Sequence, residues 1–320
     1  MKHHFLLHQL FNQPHMVLPD MLHEAVAWAG SRMGVNLHQV HVNVGAVLSH
    51  PQAWHDDGDH AEMISPEEQR LQAAQQTGVL VVPVYGVLVS RENNVSLCAN
   101  QTSYESIRSQ INAGVNDPRV EAIVLELDSP GGAVTGCFEL VADIVAAKAL
   151  KPIHAIVHFS AFSAAYAIAS ACTSITLSES AGVGSVGVIM KHADFSQQLA
   201  ADGIVVTTFF RGARKNDLAA DAPLTDEVVA VVDQRMDGYY GKFVDTVAAN
   251  RNLSADAVRA TEAGLFFGQA AIDAGLADTL ESQQAAINRI AAGVASKRAS
   301  GNRTRGARAA AAAMAMAAQL

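Results

Sequence analysis

The spacing of hydrophobic positions changes after the first quarter of this chain. Residues 1–75 carry scattered apolar positions that predict short helices, including residues 19–30 and 65–74. From Val79 to Val89 almost every residue is apolar and many are β-branched, with a break at Gly86. Such a run is typical of buried strands. The pattern predicts a helical N-terminal appendage followed by the start of a folded core.

The core pattern alternates between strands and helices. Turn residues separate the two kinds of segment, and Thr102 or Ser103 can cap the first helix. The predicted order is a helix to about residue 113, a strand over 120–127, a turn over 129–132, a helix over 134–149, a strand over 153–159 and a helix over 163–171, with a later strand over 204–210. This rhythm predicts an α/β fold with a mostly parallel sheet.

Composition supports a globular protein that associates with other copies. The chain has 320 residues, of which 50% are hydrophobic and 17% charged. These values argue against disorder and leave apolar surface for subunit contacts. Cys98, Cys137 and Cys172 form no C-x-x-C pair, so no disulfide framework or thiolate zinc site is expected. The N-terminal apolar stretch is too short for a signal peptide or a membrane span, and a reducing compartment is expected.

The charge pattern sets the C-terminal tail apart from residues 76–285, the expected catalytic domain. After Glu281 the sequence contains no acidic residue but six basic ones. Residues 286–320 are therefore predicted to form a basic, Ala-rich, disordered tail. Docking to an acidic partner or to nucleic acid is the alternative interpretation.

Ser163 is a candidate nucleophile. A buried strand ends just before it, small residues surround it, and a helix begins at or near it. A hydroxyl at a helix N-terminus lies beside unpaired N–H groups that can stabilise a developing oxyanion. The alternative is an ordinary capping serine, since Ser is common at that position.

The segment Ser129-Pro130-Gly131-Gly132 follows another strand end, where α/β folds tend to bind ligands. Its glycines would let the backbone approach a substrate carbonyl and aim N–H groups at it. We therefore expect Ser129, Pro130 and Gly131 to contact substrate, and the N–H groups of Gly132 and Ala164 to form an oxyanion hole. A plain Pro-Gly turn is the alternative.

Two kinds of residue are candidates for the general base. His154 and His158 lie on the strand before Ser163, with no acidic residue nearby to orient them. Lys215 follows a later apolar strand and could serve if burial lowered its pKa, although a solvated surface lysine is the simpler interpretation. The stretch His55 to His60 could be drawn as a metal site, but it has the composition of a surface loop, and no metal or other cofactor is expected.

In combination these segments resemble peptidase family S49, the signal peptide peptidase A family. The resemblance rests on ordered motifs, which are Ser129–Gly132, Ala161–Tyr166, Gly182–Val188, Gly212 with Lys215, and Phe267–Asp278. Phe11–Pro14 with Leu18-Pro19, and Gly86–Arg91, are similar to the branch typified by the capsid assembly protease of phage lambda. Alanines follow Ser163, where members of the family commonly have glycine.

The resemblance implies a Clp-protease/crotonase-like superhelix of ββα units that assembles into a homo-oligomer. It implies a serine endopeptidase in which Ser163 is the nucleophile, Lys215 the base and Ser185 the group that orients the lysine. Scaffold, capsid or portal proteins, and the chain itself, would be substrates in the host bacterial cytoplasm or the procapsid, with no need for nucleic acid or a membrane. A signal-peptide-degrading peptidase, a crotonase-like acyl-CoA enzyme and an inactive capsid component are the alternatives.

Overall fold

The computed structural model describes residues 13–22, 26, 66–91 and 101–317, and shows a mixed α/β fold with two sheets. The strands are β1 (His15–Val17), β2 (Val79–Tyr85), β3 (Val87–Val89), β4 (Gln101–Ser103), β5 (Ala122–Ser129), β6 (Gly131–Ala133), β7 (Ile153–Phe162), β8 (Ser174–Leu177), β9 (Gly182–Gly184), β10 (Leu265–Phe267) and β11 (Thr279–Leu280). The helices are α1 (Pro66–Thr77), α2 (Tyr104–Asn116), α3 (Cys137–Ala147), α4 (Ala164–Ala171), α5 (Ser196–Ala201), α6 (Asp226–Arg251), α7 (Ala255–Arg259), α8 (Gln269–Asp273) and α9 (Gln283–Ala317).

The larger sheet is built on three parallel strands. β5 lies between β2 and β7, and pairs in parallel with both. β7 pairs in parallel with β8 along its first half and with β9 at its end. These strands are rich in Val, Ile and Leu, as expected where helices cover both faces. The predicted α/β fold with a mostly parallel sheet is confirmed.

The smaller sheet has the order β1-β6-β3-β4. The chain crosses into it twice from the larger sheet, through Gly86 between β2 and β3 and through Pro130 between β5 and β6. A helix follows each crossing, so the first unit is β2-β3-β4-α2 and the second is β5-β6-α3. The two crossings come at the carboxyl ends of the large-sheet strands, so this end of the fold carries the backbone turns beside the candidate site.

Helices cover both faces of the larger sheet. α2, α3 and α4 pack side by side over one face, and α4 also contacts α6. On the other face α9 lies across β2, β5 and β7. Its residues Ala286, Ile290 and Val294 pack with Val124 and Ile156 in a second, smaller core.

The C-terminal prediction needs correction. The sequence predicts a disordered tail from residue 286, but the structure has one continuous helix from Gln283 to Ala317. The prediction followed the basic composition of this segment and overlooked three apolar positions at helical spacing, 286, 290 and 294. These residues are buried against the sheet. Arg298 also forms an ion pair with Glu121.

The predicted strand over residues 204–210 is likewise wrong. This segment forms neither strand nor helix, and its side chains are largely exposed, with Val205 at 90% and Phe209 at 89%. Its apolar sequence favours a strand, but no neighbouring strand of the described chain pairs with it. Phe11, Asn12, Cys98 and the stretch from His55 to His60 lie outside the described residues, as does most of the helix expected over 19–30.

Candidate active site

Ser163 is positioned by a sharp turn between β7 and α4. Its backbone has φ 53° and ψ −115°, a left-handed conformation that a residue with a side chain rarely adopts. The Ser163 N–H donates to the Gly184 carbonyl at 2.8 Å, and the Ser163 carbonyl accepts from Ala167 N–H at 3.0 Å, which begins the helix. Strain of this kind costs about 1–3 kcal/mol and is concentrated at functional sites.

The Ser163 side chain does not cap the helix. No side-chain capping hydrogen bond is present, and the hydroxyl instead donates to the Gly187 carbonyl over 3.4 Å, a weak contact. The residue is 1% exposed. A strained strand-to-helix turn that presents a serine hydroxyl is the arrangement of the nucleophile elbow in other hydrolases. The interpretation of Ser163 as an ordinary capping serine is therefore disfavoured.

Close backbone packing places Gly131 and Gly132 beside Ser163. A Cβ on Gly131, whose φ is 103°, would lie 3.0 Å from the Ser163 Cβ and 2.1 Å from the Met16 carbonyl oxygen. A Cβ on Gly132 would lie 1.9 Å from the Leu88 carbonyl oxygen. Both positions exclude any larger residue, and the double glycine therefore brings β6 against the serine.

Ser129 and Pro130 hold this turn in place. The Ser129 hydroxyl donates to the Gly86 carbonyl at 2.6 Å and accepts from the Gly131 N–H at 3.1 Å. Ser129 is fully buried, so its side chain stabilises the turn. Pro130 is half-buried, and its carbonyl accepts a hydrogen bond from Leu18 N–H.

Ser185 lies on a second strained turn next to Ser163. It has φ 55°, is 6% exposed and donates its N–H to the Gly264 carbonyl at 2.9 Å. Gly187 N–H closes the turn on the Ser185 carbonyl at 2.9 Å. The structure therefore brings Ser163, Gly131, Gly132, Ala164 and Ser185 to one place.

Lys215 is not part of that cluster in this structure. It is exposed, and its N–H closes a turn by donating a hydrogen bond to the Gly212 carbonyl. Among the described residues, the hydroxyl of Ser163 contacts the Gly187 carbonyl and no lysine. The predicted strand that was to carry Lys215 toward the site is absent.

A cavity of about 350 Å³ opens beside the Ser185 turn. Gly187, Met236, Tyr240 and Glu262 are among the residues that line it. Since the Gly187 carbonyl is the acceptor for Ser163, the cavity begins next to the candidate nucleophile. Glu262 and Ala263 at its rim both have positive φ, at 50° and 54°, which sequence reasoning missed because neither residue type signals such a turn.

A partly buried polar network supports α4 from its far side. Tyr166 donates its hydroxyl to the Leu276 carbonyl at 3.0 Å. Arg251 holds Asp278 through contacts of 2.6 and 3.1 Å, and Asp278 accepts the Ile175 N–H at 2.6 Å. The motif Phe267–Asp278 thus acts structurally, by fixing the helix that begins after Ser163.

His154, one of the two histidines on β7 that were considered as a base, lies away from the site. His154 Nδ1 contacts the Ser174 hydroxyl at 2.8 Å. It lies on the same side of β7 as Ile156, which faces α9. Burial, with Arg289 and Lys297 nearby, lowers the pKa of His154. The side chain is therefore directed away from α4 and Ser163.

The strained serine, the double-glycine strand and the helix N-terminus define a site of the serine hydrolase class. Comparison with known proteins makes this more specific. Residues 146–297 match the sequence profile of peptidase family S49. The chain therefore contains a peptidase family S49 domain.

Individual relatives of the chain include two phage proteins and a bacterial protein named as a peptidase. The head-tail preconnector protein GP5 of Enterobacteria phage P21 is 36% identical over 214 residues, 67% of this chain and 43% of that protein. Capsid assembly protease C of Escherichia phage lambda is 36% identical over 211 residues, 66% of this chain and 48% of that protein. A protein named as a signal peptide peptidase SppA in Enterococcus faecium is 25% identical over 226 residues, 70% of this chain and 66% of that protein. The chain spans less than half the length of the two phage relatives.

Two features are absent from the described residues. No helix within them is long and apolar enough to cross a membrane. They also contain no group of three or more His, Cys, Asp or Glu side chains placed to hold a metal ion.

Proposed function

We propose that this chain is a serine endopeptidase in which Ser163 is the nucleophile. The observation that carries the proposal is the strained backbone of Ser163, buried at the start of α4 and packed against Gly131. The N–H groups of Gly132 and Ala164 are the proposed oxyanion donors. Ala164 is the first residue of its helix, so its N–H has no partner within that helix.

The proposed reaction proceeds in two stages. The Ser163 oxygen bonds to the peptide carbonyl carbon while its proton passes to the Lys215 amine, and the oxyanion is held by the two N–H groups. The tetrahedral intermediate then breaks its C–N bond, and Lys215 returns the proton to the leaving amine. Water then attacks the acyl-enzyme carbonyl carbon while Lys215 accepts a proton of the water, and the C–O bond to Ser163 breaks as Lys215 gives that proton to the Ser163 oxygen.

Lys215 must be buried to act as a base, because desolvation is what lowers the pKa of an amine. We propose that the segment 204–217, called the arm here, docks when the active enzyme assembles. The exposed Val205, Phe209 and Phe210 support this, since apolar side chains at that density are typical of contact surfaces. Ser185 would then hold the lysine amine, and the docked arms would link the copies of a homo-oligomer.

The proposed substrates are scaffold, capsid or portal proteins of a phage head, processed in the host bacterial cytoplasm or the procapsid. The names of the phage P21 and phage lambda relatives support this choice over signal peptides. The ββα unit β5-β6-α3, which follows the similar unit β2-β3-β4-α2 with its additional strand, is consistent with the Clp-protease/crotonase-like superhelix, which we propose as the complete fold.

Co-expression with neighbouring capsid and scaffold genes tests the function. Mass spectrometry should find new termini on those proteins with the unchanged chain, and none with Ser163→Ala or Lys215→Ala. Lys297→Ala, a change at an exposed lysine on α9, is the matched control and should process normally. Processing that continues in Ser163→Ala would refute the assignment of the nucleophile.

Mixing two inactive variants tests how the base arrives. If the arm docks on a neighbouring copy, Ser163→Ala and Lys215→Ala proteins should regain activity when mixed, because a mixed contact pairs an intact Ser163 with an intact Lys215. If the arm folds back on its own chain, the mixture should stay inactive.

A further inference from the structure

The N-terminal strand β1 lies beside Ser163, in a cleft whose two walls are β6 and the segment at Ile189. On one side it pairs antiparallel with β6, with Met16 opposite Gly132 and Val17 opposite Gly131. On the other side His15 exchanges two backbone hydrogen bonds with Ile189, at 2.7 and 2.8 Å. The strand therefore bridges the two walls of the cleft, a position that an extended peptide would take by strand addition.

The backbone N–H and carbonyl of Met16 face β6, where the candidate oxyanion site lies. Because the N–H and carbonyl of His15 both face Ile189, the next residue turns its own polar groups toward β6, where Gly132 lies opposite. The Met16 carbonyl oxygen lies 2.1 Å from the point where a Gly131 Cβ would stand, and the Ser163 Cβ lies 3.0 Å from that same point. A carbonyl of the main chain thus stands next to the candidate nucleophile.

The side chain of Met16 fills a closed site. It is 0% exposed and belongs to the main hydrophobic core, although Met16 comes from a segment remote in sequence from that core. A substrate residue in this position would have to offer an apolar side chain of similar size. The cleft should therefore select peptides by this apolar side chain as well as by the direction of the strand that pairs with β6.

Two prolines keep the strand short. Pro14 and Pro19 flank the residues that pair with the cleft walls, and neither has an N–H to extend the ladder. In the described part of this segment, backbone hydrogen bonds join residues 15–18 to these walls, the last through Leu18 N–H and the Pro130 carbonyl at 3.1 Å. So short a ladder can be displaced without unfolding the larger sheet.

We propose that residues 13–18 are a pseudosubstrate. They occupy a groove between β6 and Ile189 that binds extended peptides with an apolar residue at the Met16 position, and Ser163 reacts only in the fraction of molecules in which they are displaced. This proposal rests on the proposed function, because it takes Ser163 as the nucleophile.

Peptide binding tests the groove without requiring any chemistry. The probe is a fluorescein-labelled peptide of residues 13–22, followed by fluorescence anisotropy with the full chain carrying Ser163→Ala. Adding Met16→Asp places a charge in the apolar site and should release the strand, so the peptide should bind at least tenfold more tightly than to Ser163→Ala alone. Asp20→Asn, at an exposed position of the same segment, is the control and should leave binding weak. Equal binding to all three proteins, or none to the Met16→Asp protein, would overturn the proposal.

A reversible cross-link covers the case in which Met16→Asp does not fold. His15 and Ala133 lie opposite each other, and since His15 bonds to Ile189 they form a non-hydrogen-bonded pair, with Cα atoms about 4.5 Å apart. That spacing suits a disulfide. In a Cys98→Ser background with Ser163 intact, oxidised His15→Cys/Ala133→Cys protein should react with a fluorophosphonate at least tenfold more slowly than the same protein reduced.

The possible results separate the two proposals. Equal labelling of the oxidised and reduced forms, or failure of the disulfide to form in folded protein, would overturn the pseudosubstrate and leave the protease proposal intact. Tighter peptide binding by Met16→Asp without labelling of any form would keep the groove and refute Ser163 as the nucleophile. Cleavage after Met16, seen by intact mass in the wild type and absent in Ser163→Ala, would make the strand a substrate and overturn its inhibitory role.

Discussion

Replacing Gly132 by alanine should disable the site through the backbone. The added Cβ would lie 1.9 Å from the Leu88 carbonyl oxygen and 2.5 Å from its carbon, both main-chain atoms of β3. An ordinary carbon–oxygen contact is about 3.3 Å, so β3 and β6 would have to separate by about 1.4 Å. Forcing a well-packed core apart in this way costs about 1–3 kcal/mol.

The same shift would move the Gly132 N–H away from the oxyanion position. A displacement of about 1 Å at a reacting centre lowers rates about 100-fold, so fluorophosphonate labelling should slow by about that factor. Differential scanning calorimetry should show Tm lower by roughly 2–10 °C. Gly238→Ala is the matched control, because nothing lies within 4 Å of its new Cβ and it sits inside α6, where alanine is favoured over glycine.

Two results would count against this reasoning. Gly132→Ala protein with wild-type Tm and labelling rate would refute the close approach of the two strands. A lowered Tm with an unchanged labelling rate would keep the packing but remove Gly132 as an oxyanion donor.

Three further predictions concern the frame around the site. Burial opposes ionisation of Asp278, but hydrogen bonds from Arg251 and the Ile175 N–H outweigh it and lower the pKa of that carboxyl. Its stabilisation is therefore complete above the unfolded pKa of about 4 and is lost as pH falls through the lower folded value. Because the Asp278 side chain is 38% exposed and its ion pair is screened by solvent, Asp278→Asn should cost only about 0.5–1 kcal/mol by urea unfolding at pH 7 and progressively less below pH 4; a constant difference would contradict the ion pair. Burial raises the pKa of the Cys137 and Cys172 thiols to about 12, so a Cys98→Ser protein should react with a disulfide reagent at pH 8 only after unfolding. Ile290→Ala should cost about 2 kcal/mol or more because Ile290 is buried between α9 and the larger sheet, whereas Gln284→Ala, at an exposed position of the same helix, should change stability by less than about 0.5 kcal/mol; equal effects would mean that α9 does not pack as described.

The sequence predicted the core of this fold well because its signals are local. Continuous β-branched runs such as residues 79–85 form strands wherever helices can cover them, and β5 and β7 follow the same rule. The tail was misjudged because charge dominated its composition, while the burial of Ile290 depends on a sheet face formed far away in sequence. The apolar run over 204–210 was misjudged for the opposite reason, since a strand needs a partner that the described chain does not supply.

The sequence predicts the part of the site around the nucleophile but not the positions of Lys215 and Met16. Ser163, Gly131 and Gly132 stand at strand ends, and the carboxyl ends of parallel strands meet at one edge, so the structure brings them together. Lys215 depends on a segment that no strand of the described chain pairs with and whose Val205 and Phe209 are exposed, and its role stays a prediction. The position of Met16 could not be read from sequence, because pairing between β1 and β6 spans more than 100 residues without a periodic signal.

Covalent labelling of the folded chain by a fluorophosphonate, located by peptide mass spectrometry, tests the nucleophile and its base together. We predict a single adduct, on Ser163, that disappears in Lys215→Ala and persists in Lys297→Ala. An adduct on another residue, or labelling of Ser163 that is unchanged by Lys215→Ala, would contradict the proposed Ser163 and Lys215 pair.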